Sequence, residues 1–194
     1  MAAESRSRNE PLPAVATIAE RLAHHALTRG EATAFHIVAG HQTTDISYAT
    51  LLRHAAGYAG IFAQAGLARG DLVFMCLKHG ADLYAAYLGA MMMGAVPSFL
   101  AFPTPKQDPV LYWQTHRTLF QQMGGRAVLT YPENRDDLAA ALPPATALLI
   151  TPPTLPQDSR PLAEIAAGLP ASSPDDTVLV QFSSGTTGLR KGWR

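Results

Sequence analysis

Ten residues late in the chain have the types and spacing for work on phosphate: Ser183-Ser184-Gly185-Thr186-Thr187-Gly188-Leu189-Arg190-Lys191-Gly192. The first six are all small, hydroxylated or glycine, so the segment has almost no apolar surface with which to pack a core. It is suited to wrapping a polyanion. Glycines let backbone N–H groups turn toward phosphate oxygens, hydroxyls donate further hydrogen bonds, and a lysine adds a point charge. A flexible linker of similar composition is the plainer alternative. A linker, however, does not require an apolar β-run, 177–182, in front of it and a lysine-glycine ending behind it.

Spacing separates the kinds of phosphate loop. A Walker loop needs two glycines with four residues between them, followed at once by lysine and a hydroxyl residue. Here Gly185 and Gly188 are too close, Lys191 lies three beyond the second, and Gly192 stands where the hydroxyl belongs. The dinucleotide fingerprint fails as well, because Gly185-Thr186-Thr187-Gly188 cannot supply its three glycines.

The elements that must position this run alternate along the chain. Thr17 is placed to cap a helix over 18–28 that Gly30 closes, and a hairpin follows with strands at 35–38 and 43–46. Ser47 stands at the N-cap of a helix of about eighteen residues that stops at Gly66. Strands are expected at 72–77, 95–100, 127–130 and 147–150, with helices at 82–93, 110–123 and 136–142 between them. The segment 102–109, with three prolines, reads as irregular, and the proline-rich stretch 151–174 as a surface connection with a helical turn at 162–167. Such alternation gives an α/β fold with a largely parallel sheet.

Composition narrows the function. The 194 residues are 47% hydrophobic and 15% charged, as expected of a globular protein, and 15 basic residues balance 15 acidic ones. That balance gives no basic footprint for nucleic acid or for an anionic membrane. The single cysteine, Cys76, excludes an internal disulfide and a cysteine-based metal cluster, and its apolar setting reads as a buried structural thiol. His24-His25 lacks the helical spacing of a metal pair, and Tyr112, Trp113 and Phe120 read as packing residues. The stretch 83–102 has no charge and is long enough to suggest a membrane span, yet Gly94 and Pro97 divide it into a helix and a strand. No transmembrane segment is expected, and no secretory signal; residues 1–16 are expected to be a disordered leader and the location cytoplasmic.

The run 183–192 resembles the phosphate-binding signature of the AMP-forming adenylate ligases, a superfamily of acyl-CoA synthetases, nonribosomal-peptide adenylation domains and luciferases. Eight of ten positions match that signature, Leu189 falls at its variable place, and Arg190 replaces its usual proline. Upstream segments agree in order and spacing. Asp45-Ile46-Ser47-Tyr48, Gly66-Leu67-Ala68-Arg69-Gly70-Asp71 and the Gly94-Ala95-Val96 region are each similar to family motifs, so the resemblance covers about 17–192.

The resemblance implies that Ser183, Ser184, Thr186 and Thr187 donate to the β- and γ-phosphates of ATP, that Gly185 and Gly188 allow close backbone approach, and that Lys191 adds charge. In the family, a substrate carboxylate attacks the α-phosphate, pyrophosphate leaves, and the acyl-adenylate commonly passes to a thiol such as that of CoA. A small-molecule carboxylate is therefore the expected substrate. The family's Mg²⁺, ribose and mobile-lid motifs are not found, so 17–194 is expected to be a partial N-terminal domain with neither catalytic nor metal-ligating residues of its own. Two readings stand together. One is part of an ATP-dependent carboxylate-activating ligase, an acyl-CoA synthetase first, with an adenylation domain or fatty-acyl-AMP ligase as alternatives. The other is a non-catalytic remnant or interaction module. In either case the apolar run 177–182 is expected to leave a partly uncovered edge.

Overall fold

A computed structural model describes residues 17–104, 106–183 and 191–193. The chain opens with helix α1 (Ile18–Arg29), held by a capping box. Glu20 N–H donates to Thr17 Oγ1 at 3.3 Å and Thr17 N–H to the Glu20 carboxylate at 2.8 Å, so two of the donors that a helix start leaves unpaired are satisfied reciprocally. Strands β1 (Thr33–Ala39) and β2 (Gln42–Ser47) form an antiparallel hairpin that turns at Gly40, φ +61°. Ser47 then caps α2 (Tyr48–Gln64), accepting from Thr50 N–H at 3.2 Å. Gly66, with φ +77°, takes the left-handed conformation that ends it cheaply.

The central sheet is fully parallel, with β4 (Val96–Phe99), β3 (Leu72–Cys76), β5 (Ala127–Thr130) and β6 (Ala147–Ile150) in that spatial order. Helices α3 (Ala81–Met92), α4 (Pro109–Met123) and α5 (Arg135–Ala141) make the crossovers. Alternation along the strands divides the core. Val73, Met75, Ala127 and Leu129 meet α2 and α3 on one face. Phe74, Cys76 and Val128 meet Tyr112, Phe120 and Leu138 of α4 and α5 on the other. The central strands β3 and β5 are buried on both sides, which is why they read as continuous apolar runs. Burying Phe74 completely is worth about 2–3 kcal/mol in area terms. A further cluster joins α1, the hairpin and α6 (Leu162–Ala167) to the outer side of α2 and α3.

Most element boundaries agree with the expected ones to within about two residues. The uncharged stretch 83–102 is indeed a helix, a glycine turn with φ +77° at Gly94, and a strand. Helix α4 starts one residue early, at Pro109, because Asp108 caps it with bonds of 2.8 and 3.1 Å and proline fits a first helical turn. A short 3₁₀ turn, Pro132–Asn134, precedes α5 and was not expected.

The larger difference lies at 177–182. Strand β7 covers only Gln181–Ser183, paired antiparallel with β8 (Lys191–Trp193). Alongside β4, among the described residues, Val180 N–H donates to Pro97 O at 3.1 Å. Pro97 presents its carbonyl to this edge but has no N–H to return, so a ladder cannot propagate there. The apolar run is partly covered: Val180 is buried and Phe182 half-buried, while Val178 remains 40% exposed.

Candidate phosphate-binding site

The β7–β8 register pairs Ser183 with Lys191, Phe182 with Gly192 and Gln181 with Trp193. The first and ninth residues of the phosphate-type run therefore occupy one rung of a β-ladder. Ser184, Gly185, Thr186, Thr187 and Gly188 lie outside the described residues. Of the sequence-expected site, Ser183 and Lys191 are thus brought together at the backbone level.

The hairpin is fastened to the sheet by what precedes it. The Phe182 ring lies 6.0 Å from that of Phe74, on the α4/α5 side of the sheet. Upstream, Ser173 and Asp176 form a tight turn in which Ser173 N–H donates to Asp176 Oδ2 at 2.7 Å and Asp176 N–H to Ser173 O at 3.0 Å. The bond from Ser173 N–H, and after it the Arg69 guanidinium, hold the Asp176 carboxyl below its usual range. Arg69 reaches this turn from the 66–71 loop, pairing with Asp176 and donating to Ala171 O.

A second cluster sits where the sheet changes winding direction. From β3 the chain passes by way of α3 to β4 on one side, then returns through α4 to β5 on the other. The carboxyl ends of β3 and β5 therefore flank a topological switch, the place where open α/β sheets bind ligands. Lys78 follows β3 there and pairs with Glu133 beyond β5 at 2.9 Å. Its Nζ lies 4.8 Å from the Phe102 ring centre and 5.6 Å from that of Tyr131. The lysine lowers the Glu133 carboxyl through that bond. Beneath, the buried Tyr58 donates its hydroxyl to Asp82, and burial followed by that partner raises its pKa steeply. Tyr131 is pushed up to about 12, first by burial and then by Asp82 and Glu133. Sequence reasoning passed over Lys78, Asp82, Tyr131 and Glu133. The available signal was their position, directly after two buried strand runs.

Other candidate chemistry is quiet. Cys76 is fully buried and its thiol is pushed up by desolvation, as befits a structural residue. Among the described residues no group of three or more His, Cys, Asp or Glu is arranged to hold a metal ion, so none is assigned to Mg²⁺. Nor is any described helix long and apolar enough to cross a membrane.

Comparison with known proteins supplies the context for this frame. A nonribosomal peptide synthetase from Aspergillus campestris is 30% identical over 148 residues, covering 76% of this chain and 1% of the relative. A 4-chlorobenzoate–CoA ligase from an Arthrobacter species is 27% identical over 154 residues, 79% of this chain and 28% of the relative. Among solved structures, a fatty acyl-adenylate ligase from Legionella pneumophila, in complex with acyl adenylate and pyrophosphate, superposes with a TM-score of 0.68. That match has 18% identity over 90% of this chain and 29% of the other, a likeness of fold. The chain thus spans less than a third of the length of each. The family model described as AMP-binding enzyme matches residues 22–193. Nearly the whole described fold, from α1 through the β7–β8 hairpin, lies within that match: the chain belongs to the AMP-binding enzyme family, the adenylate-forming ligases.

Proposed function

We propose that these residues form the phosphate-holding part of an ATP-dependent ligase that activates a small-molecule carboxylate. The observation that supports the reading is the Ser183–Lys191 rung, which pairs the first and ninth residues of the hydroxyl- and glycine-rich run at the backbone. In this reading Ser183, Ser184, Thr186 and Thr187 donate to the β- and γ-phosphates of ATP. Gly185 and Gly188 let the backbone approach closely, and Lys191 offsets charge. ATP fits this donor set, which offers hydroxyls, backbone N–H groups and one cation but no carboxylate.

The chemistry is adenylyl transfer. A carboxylate oxygen bonds to the α-phosphorus, the bond from that phosphorus to the β-bridging oxygen breaks, and pyrophosphate departs with the electron pair. The loop contributes by fixing the pyrophosphate end and spreading its charge. The relatives include a CoA ligase and a peptide synthetase, so the acceptor class is a thiol, with CoA the preferred acceptor and a carrier-protein thiol the alternative.

The test is binding of ATP and of pyrophosphate to the purified 194-residue chain by calorimetry. Lys191→Ala is expected to weaken pyrophosphate binding about tenfold, corresponding to about 1.4 kcal/mol for one charge-assisted contact. Equal affinity in wild type and variant, or no binding by wild type, would overturn the reading.

A further inference from the structure

The connector that delivers the chain to β7 is tied at its start, where Ser172 Oγ donates to Thr17 Oγ1 at 3.3 Å, and at its end, where Val180 is buried. A groove of about 430 Å³ runs beside it, between Arg69, Gly94 and Met123 on one side and Asp176, Thr177 and Val180 on the other. The flank of the connector that faces this groove, at Asp176 and Thr177, is therefore not fixed by dense packing. What crosses this gap is Arg69. Its aliphatic stem lies on Gly94, so close that a Cβ there would come within 3.0 Å of Arg69 Cγ. Its base is anchored by Gly70 N–H, which donates to Gly94 O at 2.8 Å. Its guanidinium then reaches both the carbonyl of Ala171 and the carboxylate of Asp176, with a sequence separation of more than one hundred residues. Asp176 carries the restraint onward: it closes the turn with Ser173, and four residues later Val180 docks on Pro97.

We propose that Arg69 is a positioning residue for the proposed phosphate loop, clamping the 171–176 connector so that β7 enters the loop at a fixed height on the sheet. The proposal rests on the phosphate-binding reading above for its consequence, but not for the clamp itself. Guanidinium is the suitable head group, because its planar fork serves a carbonyl and a carboxylate at once, whereas an ammonium would hold them less rigidly. Both partners are partly exposed, at 49% and 36% of their side chains, so the pair is screened by salt. Its value lies in ordering the connector beside the open groove rather than in global stability.

The experiment compares wild type, Arg69→Met, Arg69→Lys and Asp176→Asn by hydrogen exchange and by pyrophosphate titration. Methionine keeps apolar cover over Gly94 but removes the clamp. Arg69→Met is expected to speed exchange across 177–183 by about threefold to tenfold while β3 is unchanged, and to weaken pyrophosphate binding by a similar factor. Lysine should restore part of both effects, and the double variant with Asp176→Asn should lose no more than either single one, as for partners in one interaction. In wild type, 1 M salt should reproduce the exchange effect. Unchanged exchange at 177–183, equal acceleration in β3, or faster exchange with unaltered pyrophosphate affinity would each overturn the proposal. If wild type binds no pyrophosphate the phosphate reading fails, and with it the positioning role; the exchange data then decide the clamp separately.

Discussion

At the scale of single residues, the informative groups are polar ones inside the core. Ser98 on β4 is fully buried, and its hydroxyl has no hydrogen-bond partner among the described residues. A buried hydroxyl without a partner is a cost, and removing it leaves nothing else unpaired. Ser98→Ala is therefore expected to be neutral or to stabilise by up to about 1 kcal/mol in urea unfolding, and a loss beyond about 1 kcal/mol would reveal a partner. Tyr58 and Tyr131 behave differently. Both have raised pKa values, with burial as the main cause. A group whose folded pKa lies above its unfolded value contributes stability that is complete below the unfolded pKa, about 10 for tyrosine, and is lost as pH rises through the folded one. Absorbance near 295 nm, followed with circular dichroism, should show these two phenols ionising with an alkaline unfolding transition, Tyr131 near pH 12. Their ionisation near pH 10 with the fold intact would contradict the packing described.

At the scale of elements, close approach of α2 and α3 is set by one glycine. A Cβ on Gly89 would lie 2.5 Å from Ala55 O and 2.9 Å from Tyr58 Cβ, both parts of the facing helix. Gly60, also helical, meets nothing within 4 Å. Gly89→Ala should cost about 2–3 kcal/mol through forced separation of the helices. Gly60→Ala should stabilise by about 0.5–1 kcal/mol, since alanine is the better helix former. Denaturant midpoints for the two variants test the pair, and a shift in the same direction for both would refute the argument. The sequence showed both glycines inside a helical pattern but gave no means of telling them apart. That distinction depends on what lies across the interface.

At the scale of the whole molecule, the proposed phosphate-binding run belongs to a frame that spans less than a third of the relatives compared with it. For residues that span so small a share of these relatives, the purified 194-residue chain is expected to bind pyrophosphate without catalysing carboxylate-dependent exchange of label between pyrophosphate and ATP. Measurable exchange would mean that these residues contain more of the machinery than the proposed loop.

The sequence by itself determined the order and type of the central elements, because buried strands read as apolar runs and helices carry their caps, as Thr17 and Ser47 do. It also determined the identity of the phosphate-type run, whose residue types are local and whose spacing is fixed along the chain. What it did not contain was adjacency. Strand order, with β5 returning beside β3, creates the switch-point pair of Lys78 and Glu133, 55 residues apart. The bond of Val180 to Pro97 and the reach of Arg69 to Asp176 likewise join distant segments. An apolar run at 177–182 looked like a strand, and only the tertiary structure decided that its first part is not one: the neighbouring edge offers a proline carbonyl with no N–H in return.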